Sequence, residues 1–167
     1  MAALHGQQNT LMLPRSVEQE MFRHMHLSLP QEACGVVLGE SAAGGIRISR
    51  FQPIRNVAPD PLHHFFLDQT EWIQCFFSEL TIVGIFHTHP RTLPIPSQED
   101  LQDLPNFAGM LQTYLIGAPD PSITPTGEAA LHMVLNAYEI KSQGKIPGSS
   151  AASSSFYSLV PMLLCVT

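Results

Sequence analysis

Thr81-Ile82-Val83-Gly84-Ile85-Phe86-His87-Thr88-His89-Pro90 is an apolar run that ends in two histidines. The run, rich in β-branched and aromatic residues, reads as a buried central strand over residues 81–86. Side chains two apart on a strand share a face, so His87 and His89 point one way and Thr88 the other. A proline-rich loop follows over residues 91–96, and then Ser97-Gln98-Glu99-Asp100 opens a third helix, cut short by Pro105. His87, His89 and Asp100 are thus three plausible ligands for one divalent metal, with the Ser97 hydroxyl beside them.

Each part of this cluster has a plainer explanation. Two histidines near a strand end are more often structural than ligating. A serine N-cap with an acidic residue three positions later is an ordinary helix start. The two meanings of Ser97 and Asp100 are compatible, because a helix N-terminus would hold Asp100 toward the strand end. Two imidazoles and a carboxylate suit zinc, although nitrogen and oxygen ligands also accept iron, manganese or cobalt. A catalytic zinc keeps one position open for water, whose pKa it lowers to about 7. Such chemistry needs a base to take a proton from the water and return it to the leaving amine. The candidate is Glu32 in Pro30-Gln31-Glu32-Ala33-Cys34-Gly35. It lies just ahead of the apolar run Cys34-Gly35-Val36-Val37-Leu38-Gly39, and it reaches the site if that strand neighbours residues 81–86. An exposed glutamate between helix and strand is the alternative.

Around this centre the pattern alternates between helices and strands. Residues 1–13 read as a mobile lead-in. Ser16-Val17-Glu18-Gln19 reads as a capping box for a helix over residues 16–28, with Val17, Met21 and Met25 as its core stripe. Residues 34–39 and 46–51 form a β-hairpin around Gly44-Gly45, with Arg47, Arg50 and Arg55 in solvent. His64-Phe65-Phe66-Leu67 is a short extended piece. Asp68-Gln69-Thr70-Glu71 opens a second helix running through Trp72, Phe76 and Glu79. Further strands are expected at residues 111–116 and 131–140, joined by a turn-rich stretch over 117–127. The order predicts an α+β or mixed α/β fold. Residues 142–155 have Ser/Gly-rich linker composition. The apolar segment 156–167 either docks as a strand, on this subunit or another, or frays.

The chain of 167 residues, 44% hydrophobic and 13% charged, suits one globular domain. Its net charge of −6 includes no basic block, so nucleic acid is not an expected partner. No stretch is long and apolar enough to span a bilayer, so no membrane association is expected. Cys34, Cys75 and Cys165 are scattered without a CxxC pattern, which favours a reducing compartment over a disulfide framework. No signal peptide is evident, and a cytoplasmic location is expected. Cys34 as a nucleophile paired with His87 or His89 is the weaker catalytic option, since the apolar run after it marks a buried residue. His63 and His64 are read as solvent-exposed loop residues that could line a substrate groove. Phe65, Phe66, Trp72 and Phe76 are assigned to the core, and His132 to a hydrogen-bonded core or surface position.

Glu32-Ala-Cys-Gly, then His87-Thr-His-Pro, then Ser97 and Asp100 at fixed spacing resemble the JAMM (MPN-plus, Mov34-type) metalloprotease family, particularly its compact prokaryotic single-domain members. The family pattern is a distal glutamate followed by H-[ST]-H-x7-S-x2-D, and every position is filled. The resemblance runs over roughly residues 13–140 and takes in the opening helix and Asp60-Pro-Leu-His-His-Phe. It implies a curved, mostly antiparallel central sheet flanked by helices, in an MPN or cytidine-deaminase-like architecture. It divides the chain into a lead-in (1–13), a metallopeptidase domain (14–141) and a linker with an apolar tail (142–167). It implies one zinc per chain held by His87, His89 and Asp100, with Glu32 as general acid/base and Ser97 stabilising the oxyanion. The implied partner is a ubiquitin-like or sulfur-carrier protein whose extended Gly-Gly tail is cleaved at an amide or isopeptide bond, and a homodimer is a further candidate state. Residues 101–110 leave little room for the insertions that grip ubiquitin in linkage-specific deubiquitinases, and the region beyond Lys141 departs from the usual family ending. The competing readings are a non-catalytic MPN-fold scaffold, which has no need of all five residues, and a metal hydrolase of small peptides or amino-acid conjugates.

Overall fold

The computed structural model describes residues 9–121, 132–144 and 156–167. In chain order the elements are β1 (Thr10–Leu13), α1 (Arg15–Ser28), β2 (Cys34–Ala42), β3 (Gly45–Ile54), α2 (Gln69–Cys75), β4 (Thr81–Thr88), α3 (Gln98–Asp103), a 3-10 turn (Leu104–Asn106), β5 (Thr113–Pro119), β6 (Met133–Ser142), β7 (Tyr157–Pro161) and β8 (Leu163–Val166). Among the described residues the strands form one sheet in the order β7-β6-β5-β4-β2-β3-β1-β8. The β2–β3, β2–β4, β5–β6 and β6–β7 pairings are antiparallel, and β1–β3, β1–β8 and β4–β5 are parallel. The fold is the mixed α+β class that the sequence pattern indicates.

The sheet curls on itself. β7 and β8 stand at opposite ends of the strand order, yet only Met162 separates them. The Met162 N–H donates to Ala137 O at 2.8 Å, and the Asn9 side-chain amide donates to Glu139 on β6 at 3.0 Å. One face of the sheet packs on α1, with Val17 and Met21 among Leu11, Ile48, Phe51, Phe86 and Met162. The other face buries Cys34, Val36, Ile85, Tyr114 and Ile116 under Phe65, Leu67, Cys75 and Leu104. The alternation of side chains along β4 divides the two layers, with Ile85 in the second and Phe86 in the first.

Several expectations need correction. Residues 10–13 are not a mobile lead-in. They form a strand between β3 and β8, with Leu11 and Leu13 fully buried. The apolar tail is not outside the domain either, since β7 and β8 join the same sheet on this chain. The boundary drawn at 141 therefore cuts through β6. The linker residues 145–155 and most of the 117–127 stretch lie outside the described residues. α1 begins one residue earlier than expected, with Pro14 as its N-cap and no side-chain cap. The Pro14 carbonyl accepts from Val17 and Glu18 N–H, so Ser16 lies inside the first turn and forms no capping box. α2 opens at Asp68 as expected, its carboxylate accepting from Glu71 N–H, but ends at Cys75 rather than near Glu79. The backbone there tightens into i→i+3 bonds, Phe77 N–H to Gln74 O and Ser78 N–H to Cys75 O. Phe65 is buried, but Phe66 and Phe76 are about half exposed, so the aromatic cluster is only partly core. No helix among the described residues is long and apolar enough to cross a membrane.

Candidate metal centre

The five sequence-selected residues come from three segments, and the sheet assembles them. β2 lies beside β4 with Cys34 opposite His87, which brings the segment before β2 to the C-terminal end of β4. Thr88 fixes this contact: its backbone N–H donates to Ala33 O at 3.0 Å, and its Oγ1 accepts from Ala33 N–H at 2.8 Å. Glu32, 7% exposed, is thereby held at the strand end. It lines a cavity of about 400 Å³ together with Asp60, His63, His64, His89, Arg91 and Ser97. His63 and His64 are exposed on its rim, with His63 Nδ1 2.9 Å from Asp60 Oδ2.

α3 delivers the other two residues through a full capping box. Ser97 Oγ accepts from Asp100 N–H at 3.0 Å, and Asp100 Oδ2 accepts from Ser97 N–H at 2.7 Å. The cap engages an oxygen lone pair of Ser97, and among the described residues no acceptor takes its hydroxyl proton. The plain reading of Ser97-x-x-Asp100 is thus correct, and it coexists with placement at the site. Asp100 Oδ1 lies 3.0 Å from His87 Nε2, Oδ2 lies 3.3 Å from His89 Nε2, and the two Nε2 atoms are 2.9 Å apart. All three residues are buried, and their ligand atoms lie within 4.8 Å of one another.

This donor set fits a metal ion. His89 Nδ1 is 2.9 Å from Leu93 O, and a carbonyl only accepts, so Nδ1 carries a proton, and when the ring is neutral its Nε2 lone pair faces the cluster. His87 is held by packing instead. Phe65 stacks on its ring with centroids 4.4 Å apart, Tyr114 meets it edge-on at 5.3 Å, and its Nδ1 has no hydrogen-bond partner among the described residues. Two imidazole lone pairs and a carboxylate converging in a buried space repel one another unless a proton or a cation lies between them.

The electrostatics follow from burial and this crowding. Burial works to raise the Asp100 carboxyl, but the hydrogen bonds with His87 and His89 prevail and hold it well below the usual carboxylate range. Burial lowers His87. It also works to lower His89, where bonds to Asp100 and the Leu93 carbonyl prevail and raise it. Glu32 is pushed up to about 7, first by burial and then by Asp100, with His89 opposing. Cys34 is buried, donates to Ile54 O at 3.3 Å, and burial pushes its thiol up to about 12, which leaves no thiolate for a nucleophile.

One residue of the site escaped the sequence reading. Tyr114, 1% exposed on β5, donates its hydroxyl to Asp100 Oδ1 at 3.1 Å. Its only signal was a tyrosine inside an apolar strand, where the hydroxyl must find a partner when buried.

The family model described as prokaryotic homologs of the JAB domain matches residues 14–134. The chain belongs to this family. The chain is 32% identical over 99 residues to a desampylase of Haloferax volcanii, covering 57% of this chain and 68% of that one. It is 27% identical over 97 residues to a probable TtuB-protein conjugate cleaving protease of Thermus thermophilus, covering 56% and 62%. It is also 31% identical over 111 residues to the tail tip assembly protein K of Escherichia phage N15, of which it spans 42%. The solution structure of protein DSY2949 from Desulfitobacterium hafniense shares the fold, with a TM-score of 0.68 over 94% of this chain and 92% of that one, at 23% identity.

Proposed function

We propose that this protein is a zinc-dependent peptidase or isopeptidase that hydrolyses the amide bond at the C-terminus of a ubiquitin-like or sulfur-carrier protein. The observation that carries this reading is the convergence of His87, His89 and Asp100 in one buried cluster, beside a cavity lined by Glu32 and Ser97. The desampylase and conjugate-cleaving relatives support a protein-conjugate substrate. A tail ending in Gly-Gly is the proposed recognition element, as the resemblance to the JAMM family implies.

His87, His89 and Asp100 would hold the metal, and two imidazoles with one carboxylate favour zinc. When bound, it supplies Lewis acidity that lowers the pKa of water and polarises the scissile carbonyl. Glu32 takes the proton of the attacking water and hands it to the departing amine; its burial at the strand end raises its carboxyl above the ordinary value and favours that shuttling. The hydroxyl of Ser97 donates toward the oxygen on which negative charge develops. Asp60, His63, His64 and Arg91 line the same cavity and are placed to contact the substrate. Elemental analysis of purified protein tests the metal assignment: about one zinc per chain is expected. Protein that carries no metal and takes none up on addition overturns it.

A further inference from the structure

We infer that Tyr114 is a positioning residue of the metal centre, whose hydroxyl fixes the ligand geometry of Asp100 and so sets metal affinity. The inference rests on the metal site proposed above. Asp100 has two carboxylate oxygens, and each is tied from a different element. Oδ2 accepts the Ser97 N–H from its own helix start at 2.7 Å. Oδ1 accepts the Tyr114 hydroxyl from β5 at 3.1 Å. The remaining side of each oxygen faces one histidine, Oδ1 toward His87 and Oδ2 toward His89. Two fixed donors on opposite oxygens stop the carboxylate from rotating about its Cβ–Cγ bond. With the capping bond alone it could pivot on Oδ2.

The strand register explains how Tyr114 reaches both partners. β5 runs parallel to β4 with Tyr114 opposite Ile85 and Ile116 opposite His87. Tyr114 therefore lies on the His87 face of the sheet, two residues back from the ligand. There its ring meets the His87 imidazole edge-on at 5.3 Å while its hydroxyl extends to Asp100. One side chain thus braces a histidine by packing and a carboxylate by a hydrogen bond. Groups that hydrogen-bond a metal ligand in this way typically alter metal affinity by about 10- to 100-fold when removed.

Tyr114→Phe keeps the ring and deletes the hydroxyl. Zinc affinity is read by competition with a chromophoric chelator, and coordination geometry by the visible spectrum of the cobalt-substituted protein. Zinc binding weakened by about 10- to 100-fold, with an altered cobalt spectrum, is expected. A role confined to packing would leave both unchanged, and that result overturns the inference while leaving the metal site standing. Wild-type protein that binds no zinc instead removes the metal site itself. Should Tyr114→Phe fail to fold, the wild-type chain gives a second readout. It has 3 tyrosines, so tyrosine labelled with carbon-13 at Cζ yields few resonances, and the Tyr114 signal can be assigned by elimination with Tyr138→Phe and Tyr157→Phe. That signal should shift when zinc is added, and a signal indifferent to zinc overturns the inference.

Discussion

Thr88 and Ala33 exchange two hydrogen bonds, Thr88 N–H to Ala33 O at 3.0 Å and Ala33 N–H to Thr88 Oγ1 at 2.8 Å. Thr88 points away from the metal ligands that flank it, yet it joins the strand that carries them to the segment that carries Glu32. Replacing it by valine removes the acceptor and leaves a buried N–H unpaired, at a cost of about 1–3 kcal/mol in stability. Metal uptake should persist, while turnover falls by about 10- to 100-fold because the base is misplaced. Thr88→Ser should restore it. Wild-type turnover in Thr88→Val would show that the clamp does not position Glu32.

Glu32 makes a pH prediction with a definite sign. In the metal-free protein its folded pKa of about 7 lies above the ordinary value of 4.5. The folded state then favours protonated Glu32, and stability falls as pH rises from 4.5 to about 7, beyond which the loss is constant. Glu32→Gln removes this loss. Urea unfolding at pH 8 should find the metal-free variant more stable than wild type by up to about 3 kcal/mol, with the difference vanishing below pH 4.5. A bound cation lowers the Glu32 pKa, so kcat/KM should rise with pH along a limb centred at or below 7. Glu32→Gln should retain metal and lose about 10²- to 10⁴-fold in turnover.

Gly84 is required by packing. A Cβ there would lie 2.0 Å from Thr113 Oγ1, 2.9 Å from Val37 Cγ2 and 3.0 Å from Thr113 O, and the nearby backbone of β5 has little freedom to yield. Gly84→Ala should destabilise the protein by about 1–3 kcal/mol through overpacking, measured by denaturant unfolding. Unchanged stability would mean that β4 and β5 can separate without loss.

The C-terminal strands should matter to folding. Met162 is 7% exposed and packs in the same core as Leu11 and Leu135. Met162→Ala should cost roughly 2–5 kcal/mol, and differential scanning calorimetry would show it as a lowered Tm. An unaffected Tm would return the tail to the status of an appendage.

The convergence of His87, His89 and Asp100 was legible because their spacing is local, and the place of Glu32 beside them because an apolar strand follows it directly. The core stripe of α1 and the β2–β3 hairpin were legible for the same reason: each repeats over a few residues. The misses arise from long-range pairing. Thr10–Leu13 offers four residues whose burial depends on parallel partners at Gly45 and Leu163, which no local period announces. The tail strands are recruited by β6 and β1 across the whole chain. Ser16 carries a capping pattern, but Pro14 takes the cap two residues earlier. Tyr114 and Thr88 contribute through bonds to residues 14 and 55 positions away, so their sequence neighbours carry no trace of the role.

The most direct test follows the release of a Gly-Gly-tailed ubiquitin-like protein from a lysine conjugate, before chelation, after chelation and after zinc is restored. Cleavage should occur after the terminal glycine, disappear with chelation and return with zinc. An inert protein, or cleavage indifferent to the chelator, would contradict a metal-dependent isopeptidase built on His87, His89 and Asp100.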